Sequence, residues 1–367
     1  MNRLKPYRPS RPSGPAPADT LRTHALPYPN GWFCVAFSDE LKPGAIITRP
    51  IMGEEVVVYR TERGTIRAVR PYCPHLGAHL GAEAGGKIEG EDIVCPFHRF
   101  AFDPTGACVR TGYGTPPPKA SLINYPVREV NGTIYVWRHS LGAQPDWEVP
   151  VLPTAVRGRF SHQALEMGGH PQSIIENAFD FGHLGQLHGL KDVRIEGSPV
   201  PGEPTCVLPV SASRPLIPKL SYTLTVIGLS TLAAESSLFG DRGHLCVLLH
   251  VTPISPGRIH LRAGVLVTLD GVKVPAGRLG RLLTSAMGKT LTRLLAFATV
   301  RDGFPDFPVW NHQEHLEHPR LVQGDGPIGR YRQWARQFYT DPSTAAVNGT
   351  EPAGIARSLS HGQGPAS

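Results

Sequence analysis

At 367 residues, with 40% hydrophobic and 18% charged side chains, the chain has the balance of a globular protein long enough for two hydrophobic cores. A formal charge of +7 is too small and too scattered to mark a nucleic-acid binder, although it favours an acidic partner. Six cysteines are too few for a disulfide framework, and no eighteen-residue apolar run or signal-peptide core is present, so the expected setting is a reducing cytoplasm with no membrane span.

In chain order, residues 1–29 are rich in proline and arginine, show no apolar period and read as a disordered arm. Residues 30–140 alternate short β-rich runs with Gly, Pro and Asn turns: EEVVVYR (54–60), TIRAVR (65–70), DIVCPFH (92–98) and NGTIYVW (131–137). They predict a small antiparallel β domain, followed by a linker over LGAQPDWEVPVLP (141–153). Residues 150–340 predict an α+β unit. A helix over HPQSIIENAFDFGHL (170–184) precedes four longer strands: TCVLPVSA (205–212), LSYTLTVIG (220–228), HLCVLLHVTPI (244–254) and RIHLRAGVLVTL (258–269). A second helix over 280–300 repeats Leu283, Met287, Leu291, Leu294 and Leu295 at helical spacing, the pattern of a face packed on a sheet. Residues 341–367 read as a disordered tail.

The β half contains Cys73-Pro-His75, nineteen intervening residues, then Cys95-Pro-Phe-His98. Two loops each offer one thiolate and one imidazole. Such a set suits either a structural zinc of the Cys₂His₂ type or a 2Fe-2S cluster with cysteines on one iron and histidines on the other. Tight turns closed by Pro74 and Pro96, with Gly77 and Gly81 after the first, favour the cluster, because their N–H groups can reach the sulfurs. Placement at strand ends favours it too. Cys34, Cys108, Cys206 and Cys246 have no partner at ligand spacing and read as small buried hydrophobes.

This pattern resembles the Rieske proteins through CPHLGAHLG and CPFHRFAFDPTGAC. The resemblance assigns Cys73 and Cys95 to one iron and His75 and His98 to the other. Where family members often carry Gly-Trp after the last histidine, this chain has Arg99-Phe100, which alters the surface beside an exposed ligand.

A Rieske cluster moves single electrons, so oxygen chemistry needs a second iron with open positions, as a two-histidine, one-carboxylate site provides. NAFDFGHLGQLH (177–188) has its histidines five apart, which on a regular helix turns them roughly 140° from each other. Gly182, Gly185 and Gly189 allow a locally broken helix in which they converge. Its N-x₂-D-x₂-H-x₄-H pattern resembles the mononuclear iron motif of the Rieske non-haem iron oxygenases. The resemblance assigns His183 and His188 to the iron. It makes Asp180 a bridge that hydrogen-bonds a ligand histidine and reaches a Rieske histidine of a neighbouring subunit. Asn177 reads as a pocket residue or as a support behind the ligands. The carboxylate comes from VRDGFPDFPVWNHQEHLEHP (300–319), with Asp302, Asp306, Glu314 and Glu317 as candidates. The family's D-x-x-x-W context selects Asp306 ahead of Trp310, with Asp302 second. His312, His315 and His318 read as a polar surface run.

PRLVQGDGPIGRYRQWARQFY (319–339) resembles the C-terminal segment shared by 3-ketosteroid 9α-hydroxylase oxygenase components and cholesterol 7-desaturases. The resemblance implies an all-β Rieske domain followed by a catalytic domain of helix-grip type. It further implies a terminal oxygenase that hydroxylates or desaturates a bulky apolar, steroid-like substrate with O2. Electrons come from NAD(P)H through a ferredoxin or flavin reductase, and the assembly is a homotrimer. Arylamine N-oxygenation and oxidative demethylation are the alternatives within the superfamily. An electron carrier or binding protein without oxygenase activity is the alternative outside it.

Overall fold

The computed structural model describes residues 26–195, 204–214, 217–269, 271, 278–303 and 305–340. The expected tail, all but the last four residues of the expected arm, and the Leu283 side chain lie outside this description.

The N-terminal half is built from eleven short strands: β1 (Gly31–Phe37), β2 (Ile46–Ile51), β3 (Glu54–Arg60), β4 (Ile66–Val69), β5 (Lys87–Glu89), β6 (Asp92–Val94), β7 (Ala101–Phe102), β8 (Cys108–Arg110), β9 (Asn124–Tyr125), β10 (Val127–Val130) and β11 (Thr133–Arg138). They form three antiparallel sheets, ordered β1-β11-β10, β2-β3-β4-β9 and β5-β6-β7-β8. The strand expected through DIVCPFH stops at Val94, which frees Cys95 to begin a turn. Val57, Tyr59, Ile93 and Phe102 pack beneath the two cysteine loops with Cys73 and Cys95.

The second half centres on one seven-stranded antiparallel sheet, ordered β12-β18-β17-β16-β15-β14-β13. Its members are β12 (Ser161–Gly168), β13 (Lys191–Ile195), β14 (Thr205–Arg214), β15 (Ile217–Ile227), β16 (Thr231–Leu238), β17 (Gly243–Ser255) and β18 (Arg258–Thr268). Helices α1 (Pro171–Glu176) and α2 (Phe181–Gln186) leave β12 and lead to β13. Helices α3 (Arg278–Gly303), α4 (Asp306–His312) and α5 (Ile328–Ala335) follow β18. Alternation puts Leu208, Val210, Leu224, Val226 and Val251 on the sheet face that meets Ile175, Phe179, Phe307, Trp310 and Tyr331 of the helical layer. At about 25 cal/mol per Å² of apolar surface, this layer is the main force that holds the helices in place.

Three expectations are corrected. The segment 141–153 is packed rather than free: Trp147 lies edge-on to Trp137, and its carbonyl accepts from Trp32 Nε1 at 2.9 Å. A large aromatic here seals the junction where β1 meets β17 and the two halves share buried Trp32, Cys34, Cys246 and Leu248. Helix α3 packs on the sheet as expected, but its buried face is Gly288, Thr292 and Ala296; Leu291 and Leu295 are half-buried beside it, and Met287 and Leu294 are exposed. Thr292 Oγ1 accepts from Val267 N–H at 3.0 Å, satisfying a β18 donor beyond the end of the β12 ladder and drawing the helix close. The helix expected over 170–184 is two helices, broken at Asp180.

Candidate metal centres

The two cysteine loops are fixed by their own backbones. Cys73 N–H donates to Ala78 O and Gly77 N–H to Cys73 O, both at 2.9 Å. In the second loop Cys95 N–H donates to Phe100 O at 2.8 Å and Arg99 N–H to Cys95 O at 3.1 Å. That turn closes through Arg99 in the left-handed region, at φ 57°, which few non-glycine residues adopt. Both cysteines are buried and unpaired. Burial pushes the Cys73 thiol up to about 11, opposed by the His75 N–H that points at its sulfur. The His75 ring is exposed and stacks on Phe100 at 4.3 Å, and the His75 and His98 ring centroids are 4.8 Å apart. His98 Nδ1 is buried without a hydrogen-bond partner, an orphan that a metal bond satisfies. Thiols inside, imidazoles outside and N–H groups at sulfur make a donor set that fits a 2Fe-2S cluster.

In the second half, Asp180 leaves helical geometry (φ −94°, ψ 100°) and caps α2, its Oδ1 accepting His183 N–H at 3.0 Å. Helix α2 contains Gly182 and Gly185 and ends at Gln186, so His188 stands beyond it, before Gly189 at φ 65°. The break that defeats helical rotation between the two histidines is therefore after Gln186, not at the first two glycines. The ligand atoms of His183, His188 and Asp306 all lie within 4.8 Å of one another. His188 Nε2 is 3.3 Å from Asp306 Oδ2, and the two imidazoles are nearly perpendicular with centroids 5.2 Å apart. Asp306 is 6% exposed, at the first position of α4, with Trp310 one turn later in the same core.

Each ring uses Nδ1 away from the cluster. His183 Nδ1 donates to Asp180 O at 2.8 Å, while the Asp180 carboxylate stays 4.0 Å from that nitrogen. The expected side-chain bond to the ring is thus made by the main chain, because the carboxylate is occupied as the cap. Burial pulls the His183 imidazole below its ordinary value, whereas the hydrogen bond with Asp306 raises His188. Two imidazoles and a buried carboxylate, with Nε2 of His188 turned inward, fit a divalent transition metal with open positions.

The remaining candidates lie outside the three-residue group, and His312 and His318 are at the surface as expected. Asn177 turns its amide back to Ser173 O and Ile174 O at 3.2 Å, closing α1. Asp302 sits outside the three-residue group and pairs with Arg214 at 2.6 Å. Glu314, Glu317, His312 and His318 are exposed, and His315 is half-buried. Arg214, a lone arginine at the end of a strand, carries no sequence signal; only the fold brings it to His188.

Residues 31–126 match the family model of the Rieske 2Fe-2S domain, and residues 136–339 match that of the 3-ketosteroid 9alpha-hydroxylase C-terminal domain. The chain is 31% identical to cholesterol 7-desaturase nvd of Bombyx mori, over 86% of this chain and 71% of that protein. It is 24% identical to a probable 3-ketosteroid-9-alpha-monooxygenase oxygenase component of Rhodococcus rhodochrous, over 86% and 80%. The crystal structure of dicamba monooxygenase bound to dicamba shares the fold with a TM-score of 0.58 at 18% identity, covering 87% of this chain and 98% of that one.

Proposed function

Since the chain belongs to the Rieske oxygenases whose catalytic half is the 3-ketosteroid 9alpha-hydroxylase C-terminal domain, we propose that it is the oxygenase component that hydroxylates or desaturates a steroid or sterol. The observation that carries this reading is the convergence of His183, His188 and Asp306 beside an apolar sheet face. Half-buried Tyr222, Leu232, Ala234 and Leu249 extend that face and pack on the same core as Phe179 and Phe307. A rigid polycyclic apolar substrate is favoured there by burial of area, at little cost in ligand entropy.

Cys73, Cys95, His75 and His98 would hold the cluster and His183, His188 and Asp306 the iron, which together supply one-electron transfer and reductive O2 activation. The protein's own work is positional. Asp180 O fixes the His183 ring and keeps its proton on Nδ1. Asp306 stays buried at the head of α4, next to the apolar layer. Asp180, whose side chain is 30% exposed, would reach a Rieske histidine of a neighbouring copy in a head-to-tail trimer. Exposed Leu76 and Phe97 beside His75 and His98 suit a protein docking at that end, either the neighbouring copy or a reductase. The +7 charge suits an acidic ferredoxin, and six unpaired thiols suit a reducing cytoplasm. Among the described residues no helix is long and apolar enough to cross a membrane.

The test is turnover of a mixed steroid and arylamine panel by the reconstituted chain with reductase, NADH and O2, read by mass spectrometry. Gain of one oxygen or loss of two hydrogens on a steroid is expected. Products only from arylamines would move the chain to another branch of chemistry.

A further inference from the structure

Beyond the three ligands, the Nδ1 side of His188 is held by a group from two other parts of the chain. Arg214 closes β14 at a register break in the ladder. Its Nη2 donates to His188 O at 2.9 Å and to Asp302 Oδ1 at 2.6 Å. Asp302 lies in the last turn of α3, four residues before Asp306. Its Oδ2 is 4.0 Å from His188 Nδ1, so the carboxylate stands beside the outer nitrogen of that ring. Arg214 therefore ties the end of β14 to the His188 loop and to the last turn of α3, which leads into the Asp306 segment, through one guanidinium nitrogen.

A guanidinium suits this task because its planar N–H donors are fixed in direction, and because it neutralises the Asp302 charge beside a ligand set that already contains Asp306. A metal-bound imidazole is oriented by whatever its other nitrogen donates to. Here the carboxylate beside that nitrogen is Asp302, and Asp302 is held by Arg214. Asp302, a candidate ligand by sequence, instead stands one shell out.

We propose that Arg214 and Asp302 work as one clamp of positioning residues, holding His188 in the ring orientation and tautomer that its metal bond requires. This rests on the reading that His183, His188 and Asp306 hold iron. Without the clamp the His188 loop is free to turn its ring, and the loss appears first in metal affinity and ligand-field symmetry, before any change in the fold.

The experiment compares wild type, Arg214→Gln, Asp302→Ala and the double variant, with His188→Ala as reference. Fe(II) affinity is measured by chelator competition, and the ferrous site by EPR with nitric oxide as probe. Cluster absorbance and the melting of the iron-free chain serve as fold controls. Each single variant is expected to bind Fe(II) about 10–100-fold more weakly with a changed EPR rhombicity. The double variant should be no worse than the weaker single, because both break one device. Arg214→Lys, which keeps the charge but not the planar donors, should regain only part of the affinity. Single variants within twofold of wild type, with an unchanged EPR signal, would overturn the clamp, as would additive losses in the double variant. If His188→Ala binds Fe(II) as well as wild type, the metal-site reading fails instead, and the clamp falls with it.

Discussion

Gly326 is the point where the C-terminal signature meets the metal motif, and its replacement by alanine tests that junction. Its φ is +84°, and a Cβ built there would lie 2.3 Å from Phe179 O and 3.0 Å from the Phe181 ring. The neighbouring Asp325 accepts Phe181 N–H through its carbonyl at 3.2 Å, while its carboxylate holds Val322 N–H at 2.7 Å. The turn therefore grips both residues that flank Asp180. A left-handed alanine costs about 1–2 kcal/mol. Forcing a methyl against a carbonyl that no side-chain rotation can move adds about 1–3 kcal/mol. The less flexible unfolded chain returns about 0.4–1 kcal/mol. The expected net loss is about 3 kcal/mol, measured by urea unfolding of the catalytic half. Because the clash falls on Phe179 and Phe181, iron retention should drop while cluster content holds. Gly326→Asn separates the two causes: asparagine tolerates the backbone angle but still carries a Cβ, so it should be nearly as damaging. A loss within about 0.5 kcal/mol for Gly326→Ala, the range of an ordinary surface substitution, would refute the close approach of the two segments.

Asp306→Ala should strip the mononuclear iron and leave the cluster, as read by iron and acid-labile sulfide content; full iron retention would shift the carboxylate role elsewhere. Asp180→Asn keeps a residue that caps α2 equally well, so the fold and both metal contents should survive while coupled turnover collapses. Unchanged turnover would reject Asp180 as the bridge between subunits. His250 is fully buried between Thr231 and Thr133, and burial pulls its imidazole down to about 3, with Arg262 adding repulsion. Its folded pKa lies below the unfolded one, so the unfolded chain alone takes up the proton. This contribution is complete above about pH 6.5 and falls by about 1.4 kcal/mol per pH unit as the medium is acidified toward pH 3. In urea titrations the gap between wild type and His250→Asn should close at that rate between about pH 6 and pH 4. A gap independent of pH would show that His250 does not enter the fold as the neutral base.

Legibility followed the range of the physics. The cysteine loops could be read because ligand, turn residue and strand end lie within a few positions: Cys95, Pro96 and His98 are one turn. Asp306 could be chosen only through the family's D-x-x-x-W context; the structure supplies the physical reason for that spacing, since Trp310 anchors α4 in the core. The packing of α3 could not be read from its leucines. A helix drawn against β18 by Thr292 is held at short range, where Gly288 and Ala296 fit and a leucine row does not, so Met287 and Leu294 face outward. The seal made by Trp147 was likewise hidden, since proline and acid around it read as linker while its partners Trp32 and Trp137 lie elsewhere in the chain.

The five-residue histidine spacing is where local and long-range causes meet. A continuous helix would part the two rings, and the glycines suggested a general loosening of it. Instead the chain stops one helix at Asn177, lets Asp180 cap the next, and ends that one at Gln186 so that His188 leaves the helical rotation altogether. Asp180 fixes His183 twice, by its carboxylate to the backbone and by its carbonyl to the ring. His188 has no such neighbour in sequence, and its support comes from Asp302 and Arg214, 114 and 26 residues away. One ligand is thus oriented by its own helix cap, which a sequence motif records, and the other by a salt bridge that exists only once β14 and α3 have packed. That asymmetry explains why the motif pointed to Asp180 and passed over Arg214.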